Sequence, residues 1–118
     1  MATTAVRSTV SLTIADGKFE AFEAIALAML AGSRKEPGTL GYDGCLGSDR
    51  RTVRLLETYA DANAVVAHLT GPVVQQFVPQ VLGVASLDRF EVYGDRGPQA
   101  AAMLAGFGAT IFAHWHAF

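Results

Sequence analysis

Two side chains in the middle of the chain have the chemistry needed to move a proton, His68 and Glu57. His68 lies three residues after Val65 and directly before Leu69, so it borders the apolar face of a predicted helix. A histidine at that border can reach a pocket between helix and sheet and act there as a general base or hydrogen-bond donor. The alternative is a partly buried histidine that orients a loop or pairs with a carboxylate.

Glu57 is the second candidate because it shares a strand face with Val53, Leu55 and Tyr59. A carboxylate in such apolar company needs a partner or a raised pKa. His68 is the expected partner, and the pair would suit proton abstraction from a phenol or an activated carbon. The alternative is a structural ion pair or an interface contact.

Several aromatic and histidine side chains could add to a site. Tyr42 and Tyr59 could line a pocket with a hydroxyl at its wall, although tyrosine is also common in ordinary strands. In an extended segment His114 and His116 would point the same way, a geometry that can chelate a metal. No Asp, Glu or Cys lies close in sequence to complete a site, so we predict none. We expect instead that the terminal aromatics dock over an apolar edge or pocket mouth: Phe112, Trp115 and Phe118.

The first half of the chain predicts a strand, a helix and a hairpin. Alternating apolar and polar residues predict a strand over Val6–Ile14. The period changes after Asp16, the expected N-cap of a helix that Pro37 brings to an end. Alternation returns in two strands around 40–46 and 52–59, joined by a turn.

The second half predicts two helices and a fourth strand. Asp61 can cap a helix that continues through Leu69. Pro72 suits the first position of a third helix, which Pro79 should kink or end. A fourth strand is predicted over about 87–93.

This order of elements is the split βαβ pattern. It predicts a ferredoxin-like α+β fold, in which a four-stranded antiparallel sheet carries helices on one face. Residues 1–118 are predicted to form one domain, with a core of about 6–93 and a C-terminal extension of about 94–118. The extension is expected to hold a short helix at 99–104 and an extended or irregular end. Because Leu56 points away from the other apolar residues of its strand, we expect a second copy to cover the open face, giving a homodimer.

The composition limits the partners and the compartment. Hydrophobic residues make up 51% of the chain and charged residues 17%, which predicts a partner, a ligand pocket or both. The net charge is −2 and there is no long basic run, so neither nucleic acid nor an anionic membrane is an expected partner. The longest apolar stretch, Ala24–Ala31, is too short to cross a bilayer. The single Cys45 and the lack of a secretory pattern at the start predict a cytoplasmic protein.

Three segments together resemble the antibiotic biosynthesis monooxygenase (ABM) family of the dimeric α+β barrel superfamily. They are Glu36-Pro37-Gly38-Thr39-Leu40-Gly41-Tyr42, Leu55-Leu56-Glu57-Thr58-Tyr59, and the helix from Asp61 to Leu69 with His68 near its end. The resemblance covers roughly residues 6–93. The first segment also has an architectural explanation, since proline ends a helix and glycine permits positive φ.

The resemblance implies a monooxygenase that needs no metal or flavin and acts on a small aromatic or quinol-type molecule. His68 would be the base, Glu57 would orient it, and Tyr42 would donate a hydrogen bond. Arg54 stands by strand register where the polyketide oxygenases of the family carry an asparagine, and it could hold an anionic substrate if its side chain faces the cavity. Tyr59 and Trp115 are further expected substrate contacts. The alternatives are a non-catalytic binding or sensing module and a dimeric accessory protein.

Overall fold

The computed structural model describes residues 4–117, which form five strands and four helices. In chain order these are β1 (Val6–Ile14), α1 (Phe19–Ser33), β2 (Thr39–Leu46), β3 (Thr52–Tyr59), α2 (Ala62–Thr70), α3 (Pro72–Leu82), β4 (Ala85–Tyr93), α4 (Gly97–Gly106) and β5 (Thr110–Phe112). Within the described range no helix is both long and apolar enough to span a membrane.

The sheet has the strand order β2-β3-β1-β4-β5. The first four strands pair antiparallel, with β1 in the middle between β3 and β4. This confirms the predicted α+β, ferredoxin-like fold and the predicted hairpin of β2 and β3.

A fifth strand corrects the predicted four-stranded antiparallel sheet. β5 pairs parallel to β4, with Ile111 opposite Val92, so the sheet is mixed. α4 makes the connection between them, which is why the two strands can run in the same direction. A three-residue strand is too short to show the period-two pattern, so its segment was predicted only as extended or irregular.

The start of α1 also differs from the prediction. The helix begins at Phe19, with Lys18 at the N-cap position and no side-chain cap. Asp16 instead forms a salt bridge with Arg51, with 3.3 Å between the Asp16 Oδ1 and Arg51 Nη1 atoms. Gly17, at a φ of 72°, turns the chain after Asp16, and this turn delays the helix beyond the reach of an Asp16 cap.

α2 and α3 follow the predicted start signals, and of the two effects predicted for Pro79, a kink or an end, the end is not observed. Asp61 caps α2, since its Oδ1 atom accepts a hydrogen bond of 2.9 Å from the Ala64 amide. Pro72 occupies the first turn of α3 as predicted. Pro79 does not end α3, which continues to Leu82. Pro79 lies near the C-terminal end of α3, where its missing amide proton removes one backbone hydrogen bond of the helix. The buried Val81 holds the final turn of α3 against the core.

Alternate residues of each strand point to two different surfaces. The helix face of the sheet is covered by the helices and carries, on β1, Val6, Ser8, Val10, Leu12 and Ile14, and on β3, Val53, Leu55, Glu57 and Tyr59. The open face carries the residues between them, mainly hydroxyl and charged side chains: Arg7, Thr9, Ser11, Thr13, Thr52, Arg54, Leu56 and Thr58. Leu56 is the apolar member of that set and is 44% exposed.

Candidate active site

A cavity of about 250 Å³ lies between the helix face of the sheet and the helices. Its wall is largely aliphatic and aromatic. Within the described chain its ionisable groups other than Cys45 are Glu23, Tyr42, Glu57, Tyr59 and His68. A pocket of this kind, apolar with a few polar groups gathered in it, is typical of small-molecule sites.

His68 is held in this wall by a carboxylate that the sequence analysis did not assign to it. The His68 Nδ1 atom lies 2.7 Å from Glu36 Oε1, and the two side chains are 6% and 17% exposed. The Thr39 hydroxyl donates a hydrogen bond of 2.8 Å to the same Glu36 oxygen. Since Nδ1 is engaged by Glu36, Nε2 is the nitrogen that a bound molecule can use.

The loop between α1 and β2 brings Glu36 to His68. A Cβ atom added at Gly38 would lie 2.4 Å from the Ala64 Cβ atom of α2, so only glycine allows this loop to approach the helix so closely. The Gly38 carbonyl also accepts a hydrogen bond of 2.8 Å from the Ala60 amide. Gly38 is thus required for close packing and not for positive φ, which corrects the reason given from the sequence.

Glu57 is not the partner that orients His68, which corrects the predicted pair. Its Oε1 atom accepts hydrogen bonds from the Ser8 hydroxyl, at 3.1 Å, and from the Tyr59 hydroxyl. The Glu57 side chain lies on the helix face of the sheet, where hydroxyls from β1 and β3 donate to it. Glu36 instead reaches His68 from the loop between α1 and β2. Burial raises the pKa of Glu57, and the hydrogen bonds and the nearby His68 only oppose that shift.

Two tyrosine rings flank His68. The ring centroids of Tyr42 and Tyr59 lie 5.7 and 5.3 Å from the centroid of the imidazole. Burial raises the pKa of both phenols, and the charge of Glu57 raises it further. Both hydroxyls therefore keep their protons near neutral pH and remain hydrogen-bond donors.

The structure thus brings four of the six predicted site residues together and leaves two apart. His68, Glu57, Tyr42 and Tyr59 line one cavity. Arg54 lies on the open face, because successive strand residues point to opposite sides, and its Nη1 atom donates to the Val53 carbonyl at 3.1 Å. The condition for its predicted role, a side chain in the cavity, is not met.

Trp115 is the second residue that the structure leaves apart. It is 85% exposed, and its ring lies against His116, with 4.6 Å between the centroids. Residues 4–117 contain no group of three or more His, Cys, Asp or Glu side chains that could hold a metal. Phe118, the third aromatic of the predicted docking segment, lies outside the described residues.

Three contributors to the site were not predicted from the sequence: Glu36, Ser8 and the C-terminal extension. Glu36 lies 32 positions before His68, and no local spacing could reveal the contact. Ser8 had a signal, since it is the one polar residue among the helix-face positions of β1. Leu104 and Phe107 of the extension line the same cavity, which no pattern in the first 93 residues could indicate.

The chain matches one known protein family over more than half of its length. The family model for antibiotic biosynthesis monooxygenase matches residues 5–80. The chain belongs to the ABM family. No protein of curated function has a matching sequence.

Solved structures of other proteins show the same fold. MupZ from Pseudomonas fluorescens is 23% identical, with a TM-score of 0.86 over 100% of this chain and 91% of that one. A candidate antibiotic biosynthesis monooxygenase from Nitrosomonas europaea is 20% identical, with a TM-score of 0.72 over 83% and 96% of the two chains. A conserved protein of unknown function from Bacteroides thetaiotaomicron is 25% identical, with a TM-score of 0.70 over 77% and 97%. The likeness to MupZ spans the whole chain, so it includes α4 and β5.

Proposed function

We propose that this ABM protein is a monooxygenase that needs no metal or flavin and oxidises a phenol- or quinol-type molecule in its cavity. The observation that carries the proposal is the hydrogen bond of 2.7 Å between His68 Nδ1 and Glu36 Oε1 in the wall of an apolar cavity. Family membership supports the reaction class at the level of the family alone.

His68 acts as the general base in this proposal. Glu36 holds the proton on Nδ1 and so leaves Nε2 free to accept a proton from the substrate. The negative charge of Glu36 also stabilises the imidazolium that forms. The deprotonated, electron-rich ring then supplies the electrons that reduce dioxygen. For a ring methylene, one oxygen atom becomes the product carbonyl and the other leaves as water with the two hydrogens of the methylene.

Tyr42 and Glu57 act in this proposal where negative charge develops on oxygen. Tyr42 keeps its proton because burial raises its pKa, so it can donate a hydrogen bond to an oxyanion as charge develops. Glu57, whose pKa is also raised by burial, holds a proton more readily than an exposed carboxyl does. The apolar wall excludes water, which strengthens these interactions.

We further propose that the protein acts as a homodimer in the cytoplasm. Two copies would join through their open faces, and the support is the exposed Leu56 among the polar residues that β1 and β3 place on that face. The single Cys45 supports a reducing compartment, since one cysteine forms no internal disulfide.

A second candidate is a binding or sensing protein without catalysis. The observation that favours it is that Glu57 and His68 are already hydrogen-bonded to protein groups, as in a purely structural network. An accessory role in a larger assembly would leave the cavity without a ligand.

Oxygen uptake separates these functions. The protein is mixed with a panel of hydroquinones and anthrone-like phenols, and dissolved oxygen is followed alongside product formation. The proposal predicts uptake of one dioxygen per product, no uptake without substrate, and binding but no product under nitrogen. Ligand binding with unchanged oxygen would identify the sensing alternative and contradict the monooxygenase.

A further inference from the structure

The reacting groups lie close to one end of the cavity. Ser8, Glu57 and Tyr42 form one row across the sheet, because Glu57 pairs with both of the others. On β1 the helix face continues for one position beyond Ser8 in one direction, to Val6, and for three positions in the other, to Ile14. At about 3.3 Å per residue, the cavity wall extends about 7 Å to one side of this row and about 20 Å to the other.

The short end is closed by the C-terminal extension. Leu104 of α4 is 1% exposed and packs with Val6 and Val92 in one core cluster. Phe107 follows α4, lines the cavity and contacts Phe90, with 6.3 Å between the ring centroids. The end of the cavity beyond Ser8 is therefore blind.

The long end reaches the surface. Five residues that line the cavity are exposed, and all lie on this side of the Ser8 row: Glu23, Gly44, Cys45, Leu46 and Leu82. Leu46 pairs with Val53, which in turn pairs with Leu12. Leu82 and Glu23 lie in the helices that adjoin the Ile14 end of β1. The mouth of the cavity is thus on the far side from the blind end.

The described part of the wall has no permanently positive side chain that would hold an anion. Among residues 4–117 no arginine or lysine side chain lines the cavity, and the acidic Glu23 stands at the mouth. Since an unpaired charge is costly to bury, a carboxylate or phosphate would not enter. The cavity favours a neutral molecule.

We infer that the substrate is a neutral, elongated amphiphile whose reacting hydroxyl is at one terminus, with an unbranched apolar tail that runs from the Ser8 row toward the mouth. The identity of the reacting group rests on the proposed function, while the shape and polarity of the ligand rest on the cavity alone. The hydroxyl enters first and the tail follows, so the tail faces a wall that is apolar apart from Cys45 and Glu23 near the mouth.

Binding of a 4-n-alkylphenol series to the full chain tests the inference by isothermal titration calorimetry. Affinity should rise about fourfold per methylene, as expected for burial of a CH₂ group. The rise should stop once the tail reaches the mouth, whose exposed rim begins at Gly44, about 7 Å from the Ser8 row, and ends about 20 Å from that row. A phenol of the same formula with two short tails at positions 2 and 6 should bind at least tenfold more weakly. Affinity that does not depend on tail length, or equal binding of the two isomers, would overturn the inference.

A substitution in the long half of the cavity provides an independent test. Ala26 lines the cavity and packs against the cluster that contains Leu12 and Ile14. Ala26→Phe should weaken binding of 4-octylphenol at least tenfold and that of 4-methylphenol less than twofold. Ala24→Phe, exposed on the same helix, is the matched control and should change neither. Ala26→Leu gives a smaller obstruction if the Phe variant does not fold, and equal losses for both phenols would contradict the inference.

These outcomes separate the two proposals. Tail-length dependence without oxygen uptake would uphold the ligand shape and reject the oxygenase. Oxidation of compact quinols without tail-length dependence would uphold the oxygenase and reject the elongated ligand. Tight binding of alkyl carboxylates at neutral pH would reject the neutral character assigned to the cavity.

Discussion

The helix face and the open face of the same sheet differ sharply in chemistry. On β3 the helix face carries Glu57 beside apolar residues, and burial raises the pKa of that carboxyl. Asp88 of β4 is exposed and accepts hydrogen bonds from the Thr13 and Ser86 hydroxyls, which lower its pKa. Both carboxyls belong to one sheet and have hydroxyl partners. What differs is the exclusion of water, and this difference makes the helix face suitable for proton transfer.

The largest effect should come from His68. His68→Gln removes the proposed base from the helix face and should lower kcat by about 100-fold to 10,000-fold, the usual contribution of general acid–base catalysis. The measurement is steady-state oxygen uptake with a substrate that the wild type oxidises, alongside circular dichroism for folding. His116→Gln, exposed in the C-terminal segment, should keep wild-type kcat. A folded His68→Gln variant with wild-type kcat would show that His68 is not the general base.

The positioning role of Glu36 should give the next largest effect. Glu36→Gln loses the charge that holds the proton on Nδ1 of His68 and should lower kcat by roughly tenfold to a hundredfold, as for other carboxylate partners of functional histidines. Nitrogen NMR of His68 should show a shift from the Nδ1–H tautomer toward Nε2–H, which a merely structural role would not produce. Glu20→Gln, exposed in the first turn of α1, is the control. An unchanged tautomer in the Glu36 variant would contradict the role.

A charge on the open face should weaken the proposed dimer without touching the cavity. Leu56→Arg places two like charges near each other across the interface, and the dimer dissociation constant should rise at least tenfold. Sedimentation velocity over a dilution series measures it. Leu27→Arg replaces an exposed leucine of α1, 61% accessible, and should leave the association unchanged. A wild-type protein that is monomeric at micromolar concentration would remove this interface altogether.

The pH dependence of stability distinguishes the two faces further. The folded pKa of Glu57 is raised, so the unfolded state releases the proton first as the pH increases above about 4.3. The free energy of unfolding of the wild type should therefore fall relative to Glu57→Gln from that pH until the folded pKa is passed. Urea denaturation of both proteins between pH 4 and 9 measures the difference. A difference that stays constant over this range would show that burial does not raise the pKa of Glu57.

The smallest effect should come from Asp49 in the turn between β2 and β3. Hydrogen bonds from the Thr52 hydroxyl, the Thr52 amide and the Arg51 amide lower its pKa to about 2. Its contribution to stability should be present above about pH 4 and be lost as the pH falls toward 2, the opposite sign to Glu57. Carbon NMR titration of the side-chain carboxyl gives the pKa, and a value near 3.9 would contradict the hydrogen-bonded turn.

The sequence predicted those parts of the fold that repeat a local pattern. Period-two alternation was sufficient for β1 to β4 and for the two faces of β3, and the Asp61 and Pro72 signals placed α2 and α3. β5 was not predicted, because its three residues form a strand through pairing with β4 and show no period-two pattern of their own. Its parallel pairing depends on α4, a connection that no local signal describes.

The sequence predicted only those site residues that the pattern of a single helix or strand reveals. His68 and Glu57 were found because each is a polar residue on an apolar face of its own element. Their pairing was wrong because Glu36 reaches His68 through the close approach of Gly38 to α2. Arg54 received its role from the resemblance, although alternation along β3 had already placed it on the face opposite Leu55.

The direct test of the account is the ionisation state of a phenol bound in the cavity. 4-Nitrophenol absorbs at a longer wavelength as phenolate than as phenol, and burial in an apolar cavity alone would favour the neutral form. We predict that, slightly below the pH at which it ionises in water, the bound phenol shows a larger phenolate fraction than the free one in the wild type. In His68→Gln the fraction should fall below that of the free phenol. A neutral phenol bound to the wild type, with the same spectrum in the variant, would contradict a working base on the helix face.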